Sequence, residues 1–329
     1  MNATPDQALQ AAQALARGEL IGLPTETVYG LAADANNPAA VAQIFQTKGR
    51  PADHPLIVHV WDASQVRVFA SHVPDFAQAL MRECWPGPLT LILPKRVGVA
   101  DAAAGGHLTI ALRCPSHRLA QAVLQAAQAL GVQGAAAPSA NLFGSVSPTT
   151  AAHVSAAFPH VLVLDGGACD VGIESTIVDC SRDHPVLLRP GMLTASQLSQ
   201  ACGTAVLVAQ DGLHSGSVGK AVAGSAPAAP GSLASHYAPR ARLRLINKAD
   251  ISRLLPSAVR VAVLARSRLP QGVDVLHAVM PSDAAGYAQV LFAQLRDLDA
   301  QGVQEIWVEA PPAGEAWDGV RDRLQRAAA

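Results

Sequence analysis

Residues 212–235 read GLHSGSVGKAVAGSAPAAPGSLAS, almost wholly Gly, Ala, Ser and Pro with no apolar periodicity, which is the composition of a linker. The tract divides the 329-residue chain into two stretches, each long enough to bury a core of its own. The expected division is a first domain over 1–207, a linker over 208–239 and a second domain over 240–329.

The first stretch alternates short β-rich runs with Ala/Leu-rich helical ones. LIGLP (20–24), PLIVHV (55–60), LTLIL (89–93), LTIALR (108–113), VLVLD (161–165), STIVD (175–179) and PVLLR (185–189) read as strands. Asn37 followed by Pro38 reads as a helix start, with Val41, Ile44 and Phe45 on one face and Gly49 past the end. Helices are also expected from Pro74 to Trp85 and from His117 to Leu130. The spacing is too uneven for a succession of βαβ units, so the expected fold is α/β with a twisted mixed sheet and irregular loops.

The second stretch offers ARLRLI (241–246), VRVAVLA (259–265) and VQEIWVEA (303–310) as strands. Tyr287, Val290, Leu291, Leu295 and Leu298 form a helical stripe between the last two, which predicts a smaller Rossmann-like α/β domain. It lacks a G-x-G-x-x-G turn, and no dinucleotide is assigned to it. Residues 239–268 hold eight Lys or Arg and one acid, Asp250, which reads either as a basic edge or as a solvated face.

Charge and composition exclude several functions. The 24 Lys+Arg against 25 Asp+Glu leave no global cationic field for indiscriminate nucleic-acid binding, and 4% aromatic residues argue against a base-stacking platform. Five cysteines without a C-x-x-C pair argue against a disulfide framework or zinc ribbon and fit a reducing cytoplasm. The N-terminus lacks the pattern of a signal peptide, and no run approaches the ~18 apolar residues of a membrane span.

Four polar clusters stand at strand ends and turns, where functional side chains are displayed. PTETVYG (24–30) sets two hydroxyls, a carboxylate and a phenol between Pro and Gly, the residues of a Thr-stabilised turn or of a site. KGRPADHPLIVHV (48–60) places Lys48 and Arg50 around a glycine at a helix end, where cations either satisfy the dipole or clamp phosphate oxygens. Ile57 and His59 share one face of the strand that follows, and a lone strand histidine is commonly structural. In LTIALRCPSH (108–117), Thr109 and Arg113 flank the strand, and Arg113 could cap carbonyls or grip a carboxylate; AAAPSANLFGSVSPT (135–149) adds small hydroxyl residues. DGGACDVGIESTIVDC (165–180) and VLLRPG (186–191) contribute Gly166, Gly167 and Gly172, a backbone held close to something, together with Ser175 and Arg189. The inventory is that of a local site for phosphate and carboxylate. No P-loop, H-E-x-x-H or G-x-S-x-G motif is present, so any ATP binds outside a P-loop.

The ordered motifs PTETVYGLA, KGRP-x-x-H-PLIVH, PSAN and STIVD resemble the YrdC-like threonylcarbamoyl-adenylate synthases over roughly residues 5–207. GSLASHYAP (231–239) and the α/β tail resemble the longer branch of that family, in which a linker joins the synthase to a Rossmann-like domain. The resemblance implies a concave cavity and a reaction of L-threonine, bicarbonate and ATP to threonylcarbamoyl-AMP and pyrophosphate. The product would supply tRNA modification beside the anticodon through separate transfer proteins in the cytoplasm; only weak or transient tRNA contact, and no membrane, is expected. By motif position, Lys48 and Arg50 resemble the triphosphate-binding basic pair. Thr27, His59, Arg113, Ala137 and Ser175 match threonine-binding positions. His54, Thr109, Ser139, Asn141, Ser147 and Arg189 match the ATP site, with His236 or Tyr237 reaching in from the linker as a lid or else anchoring the domain boundary. Mg2+ is expected on the phosphates, held mainly by ATP and water. Two other readings stay open at this level, an RNA-binding module and a carbamoyl-adenylate step of hydrogenase maturation.

Overall fold

The computed structural model describes residues 5–209, 221–222, 236–254, 260–269 and 275–329. In the first domain β1 (Ile21–Leu23), β2 (Gly30–Asp34), β3 (Ile57–His59), β4 (Leu89–Pro94), β5 (Thr109–Arg113) and β6 (Ala135–Ala136) are followed by β7 (Leu162–Val163), β8 (Thr176–Asp179), β9 (Val186–Arg189), β10 (Leu207–Ala209) and β11 (Ala221–Val222). They form one mixed sheet in the order β11-β10-β9-β8-β4-β5-β3-β6-β2-β1-β7. Each of the seven runs read as strands overlaps one of these elements, β4 running one residue further to Pro94. β2 (GLAAD) and β6 (two alanines) lack the branched, alternating pattern of a strand and are set by burial between their neighbours.

Period-two alternation divides the central strands. Val58, Leu91, Leu112, Val178 and Leu187 join the main core on one face, while Ile57, Ile92, Ala111 and Ile177 pack together on the other. The helix Pro38–Lys48 is capped as expected: the Asn37 side chain accepts from the amides of Ala39 and Ala40, and Gly49 closes the helix at φ 64°. Helices Asp75–Cys84 and Arg118–Ala129 fall within the expected spans.

The second domain has four parallel strands, β12 (Arg242–Ile246), β13 (Val261–Ala265), β14 (Leu276–Val279) and β15 (Glu305–Glu309), in the order β12-β15-β13-β14. Helix Ala284–Ala300 packs Tyr287, Leu291, Leu295 and Leu298 onto one face of the sheet, with Val290 at the edge of that stripe, and Ile251 of helix Lys248–Leu254 covers the other face. The basic run of 239–268 is partly neutralised from within the domain, since Arg240 pairs with Asp299 at 3.0 Å and Arg266 with Glu309 at 2.6 Å.

Most of the expected linker lies outside the described residues. Within the described part, residues 208–209 and 221–222 belong to β10 and β11, so the first sheet continues past the expected boundary at 207. The domains share a core in which Val28, Val146 and Ile173 pack with the second domain's helices. Gly172, at φ +81°, lies so close to helix Ala284–Ala300 that a Cβ would stand 2.4 Å from the carbonyl oxygens of Ala288 and Gln289. Gly166 and Gly172 are therefore needed for protein packing, Gly166 abutting the His117 ring, whereas Gly167 is set by its φ of +82° alone; none of the three lines the cavity described next.

Candidate active site

Register builds the site. His59, Arg113, Thr90, Ile177 and Arg189 are successive partners across β3, β5, β4, β8 and β9, so they form one row on the face opposite the main core. Above that row lies a cleft open to solvent, with about 560 Å³ of space between its walls, the solvent at its mouth included. Of the sequence-predicted residues, Thr27, Arg50, His59, Arg113, Ala137, Ser139, Ser175, Arg189, His236 and Tyr237 line it. Residues more than a hundred positions apart thus meet because strand pairing is not sequential.

Arg113 is held in place on three sides. Its Nη1 donates to Thr27 Oγ1 at 2.7 Å, its Nε to the Gly87 carbonyl at 3.3 Å, and its Nη2 lies 2.6 Å from Glu26 Oε1. A guanidinium has five N–H donors in a fixed fork, so further donors remain for a planar anion. His59, buried beside it, has an Nδ1 without a hydrogen-bond partner. Burial, reinforced by the charge of Arg113, lowers its pKa to about 3, so the imidazole is neutral at physiological pH.

Arg189 is fixed by the Ser175 carbonyl, at 2.9 Å from Nη2, and by the Ser175 hydroxyl at 3.1 Å; that hydroxyl in turn lies 2.7 Å from Thr90 Oγ1. Arg50 donates to the Pro55 carbonyl at 3.1 Å and stands 5.7 Å from the centre of the Phe143 ring, while its Nε is buried without a partner. Burial lowers its pKa to about 10, which leaves it charged at neutral pH.

Five of the sequence-predicted residues stand behind or beside the cavity rather than on its wall. Lys48 points its Nζ into the carbonyls of Ser139 and Asn141 and so ties the PSAN turn to its helix; burial, then repulsion from Arg50, lowers its pKa to about 7. Asn141 donates to the carbonyls of Leu142 and Ser145 at 2.7 and 2.9 Å, building the same turn. Ser147 donates to Glu174. Thr109 opens the strand that ends at Arg113, about 13 Å away at ~3.3 Å per residue. His54 is half-buried with its ring 5.7 Å from that of Phe143.

His236 and Tyr237 close one side of the cavity. Their segment is pinned to the first domain by the Ala238 amide, which donates to the Gly144 carbonyl at 2.9 Å. Tyr237 adopts φ 61°, stacks on Phe292 at 5.7 Å and leaves its buried hydroxyl without a hydrogen-bond partner. Burial, with the charges of Arg50, Lys48 and Arg189, lowers the His236 pKa to about 4 against the opposing pull of Glu174.

Three residues carry more than their sequence context shows. Glu174, inside a segment that reads as a glycine-rich turn before a strand, is the one carboxylate on the cavity wall among the described residues. Glu26 braces Arg113 from behind. Phe143 sits among Arg50, His54 and His236, and the lone aromatic in an otherwise small-residue loop is the only signal that could have found it. Among the described residues no cluster of three or more His, Cys, Asp or Glu could cage a metal, and no helix is long and apolar enough to cross a membrane.

Residues 13–191 match the family model described as telomere recombination, and residues 193–329 match that of the threonylcarbamoyl-AMP synthase C-terminal domain. The threonylcarbamoyl-AMP synthase of Pyrococcus abyssi is 35% identical, over 96% of this chain and 92% of its own. That of Bacillus subtilis is 36% identical, over 98% and 93%. The crystal structure of P. abyssi Sua5 complexed with L-threonine is 34% identical and superposes with a TM-score of 0.88, covering 100% of this chain and 96% of that one. With both domain models matched in order and relatives aligned over nearly the whole length, the chain belongs to the two-domain threonylcarbamoyl-AMP synthase family.

Proposed function

We propose that the cavity joins L-threonine, bicarbonate and ATP into threonylcarbamoyl-AMP, releasing pyrophosphate. The observation that carries this reading is Arg113, buried, braced by Glu26 and Thr27 and still open to the cavity, which suits the carboxylate of an amino acid. In this reading Thr27, His59, Ala137 and Ser175 surround the rest of threonine, and the neutral His59 ring accepts a hydrogen bond from its amino group. Arg50 and Arg189 bind the phosphates of ATP, with Ser139, His236 and Tyr237 around the nucleotide. Lys48, Asn141 and Ser147 act from behind by holding the PSAN turn and Glu174. His54 and Phe143 form the outer edge beside Arg50, and Thr109 lies at the far end of the same strand.

The amine of threonine adds to carbon dioxide derived from bicarbonate and loses a proton, giving a carbamate. A carbamate oxygen then bonds to the α-phosphorus as the bond to the β-phosphate oxygen breaks, and pyrophosphate leaves. No side-chain nucleophile is required, and oriented reactants contribute up to ~7–11 kcal/mol in favourable cases. Fixed guanidinium groups oppose the charge of the pentacoordinate phosphorus without reorganising. Mg2+ suits this site as a companion of the nucleotide, since the wall offers one carboxylate among the described residues and the phosphates and water would supply the other ligands. The product passes to cytoplasmic proteins that transfer the threonylcarbamoyl group to tRNA.

The test is to incubate the protein with MgATP, labelled bicarbonate and each amino acid in turn, following pyrophosphate and label incorporation. Threonine should stimulate both well above a control without amino acid; equal rates would overturn the reading.

A further inference from the structure

Arg323, on helix Asp318–Ala327 of the second domain, is fully buried and reaches through the domain boundary to the first. Its Nε lies 2.7 Å from Glu174 Oε2, and its Nη2 donates to the Glu174 carbonyl at 3.1 Å. Its Nη1 donates to the Pro190 carbonyl at 2.9 Å and to Asp322 at 2.6 Å, and Asp322 is shared with Arg326 at 2.9 Å. Two acids and two arginines thus balance one another behind the wall.

We propose that Arg323 is a positioning residue for nucleotide binding: it neutralises Glu174 from behind, so that this carboxylate of the cavity wall does not oppose a polyphosphate. This rests on the reading that the cavity takes ATP. The Glu174 side chain presents a charge beside the guanidinium groups that face the cavity, and Ser147 and Arg323 each take one of its oxygens. Without Arg323 the buried carboxylate would lose its cation and either turn towards the arginines of the wall or repel the phosphates. Burial alone would raise the Glu174 pKa, but Arg323, Arg189 and the Ser147 hydrogen bond hold it below the ordinary carboxylate value. The second domain would then set the electrostatics of a site that no described residue of its helices lines.

The experiment is calorimetric titration of the full chain with MgATP, together with steady-state kinetics, for wild type, Arg323→Met, Glu174→Gln and the double variant. Arg323→Met should weaken ATP binding roughly tenfold or more while threonine KM stays within about threefold. Glu174→Gln should bind ATP at least as tightly as wild type. The double variant should return to within about threefold of wild type, because it removes the carboxylate that Arg323→Met orphans. A double variant as weak as Arg323→Met would show Arg323 to be only a structural strut and overturn the inference, as would weakened binding by Glu174→Gln alone. If Arg323→Met does not fold, Glu174→Gln decides by itself. Absence of ATP binding by wild type would overturn the nucleotide reading and the inference with it, whereas wild-type binding without rescue overturns the inference alone.

Discussion

Glu26 and Arg113 form a buried ion pair, with 2.6 Å between Oε1 and Nη2 and side chains 5% and 4% exposed. Neither is near the other in sequence: Glu26 lies in the turn before β2, and Arg113 ends β5. A buried pair contributes little net stability over an apolar substitute, and its main effect here is to fix the guanidinium plane at the cavity.

Arg113→Ala should raise the threonine KM by roughly a hundredfold and the ATP KM by much less, because a buried charged hydrogen-bond pair is worth a few kcal/mol. Initial rates at varied threonine and saturating ATP, then the reverse, measure both. Equal effects on the two substrates would remove the carboxylate role.

Glu26→Gln keeps the shape of the brace and removes its charge. The expected outcome is a threonine KM raised about tenfold with kcat nearly unchanged, since the residue acts through Arg113. A fall in kcat at saturating threonine would mean that Glu26 takes part in the chemical step.

Arg50→Met should show the opposite substrate pattern, raising the ATP KM roughly tenfold and the threonine KM by less than about threefold. The same two-substrate kinetics settle it, and a threonine effect of equal size would move Arg50 out of the nucleotide half.

His59 predicts a pH dependence of stability. Its folded pKa is lowered from 6.5 to about 3, so the unfolded chain takes up a proton below pH 6.5 that the folded chain refuses until about pH 3. The stability associated with the neutral ring is therefore present above pH 6.5 and lost as pH falls towards 3. At about 1.4 kcal/mol per pH unit the loss is on the order of 3 kcal/mol by pH 4. Urea unfolding of wild type and His59→Gln at pH 7 and pH 4 should show a smaller loss in the variant by that amount; parallel losses would contradict it.

Gly172→Ala tests how closely the domains approach. Its φ of +81° and the carbonyls 2.4 Å from a Cβ leave no room, so the substitution should cost about 2–4 kcal/mol and lower activity. A melting temperature unchanged from wild type would mean that the boundary yields freely.

The alternation of β3 was legible residue by residue: Val58 entered the main core while Ile57 and His59 turned to the other face, because side chains alternate wherever a strand is buried. The helix after Asn37 was equally legible, since its cap, first proline and closing glycine are local chemistry. β2 and β6 were not, because alanine and glycine carry no strand preference and only neighbouring strands decide their conformation.

In the site, sequence showed which strand ends carry cations and hydroxyls, but not which of those groups face the cavity. Lys48 and Arg50 look alike as a basic pair two residues apart, yet the PSAN turn takes Lys48 as a strut while Arg50 lines the cavity. Glu174 looks like an ordinary turn residue until Arg323, 149 positions away, is brought against it. Near-neutral overall charge, the Gly/Ala/Ser/Pro tract and the ordered motifs were properties of the chain alone and led to the expectation of two α/β domains with one local anion site. The row His59, Arg113, Thr90, Ile177 and Arg189, and the contact of Arg323 with Glu174, arose only from strand pairing and domain docking. Those contacts join distant segments, and the energy that selects them comes from burial of the whole core rather than from any local pattern.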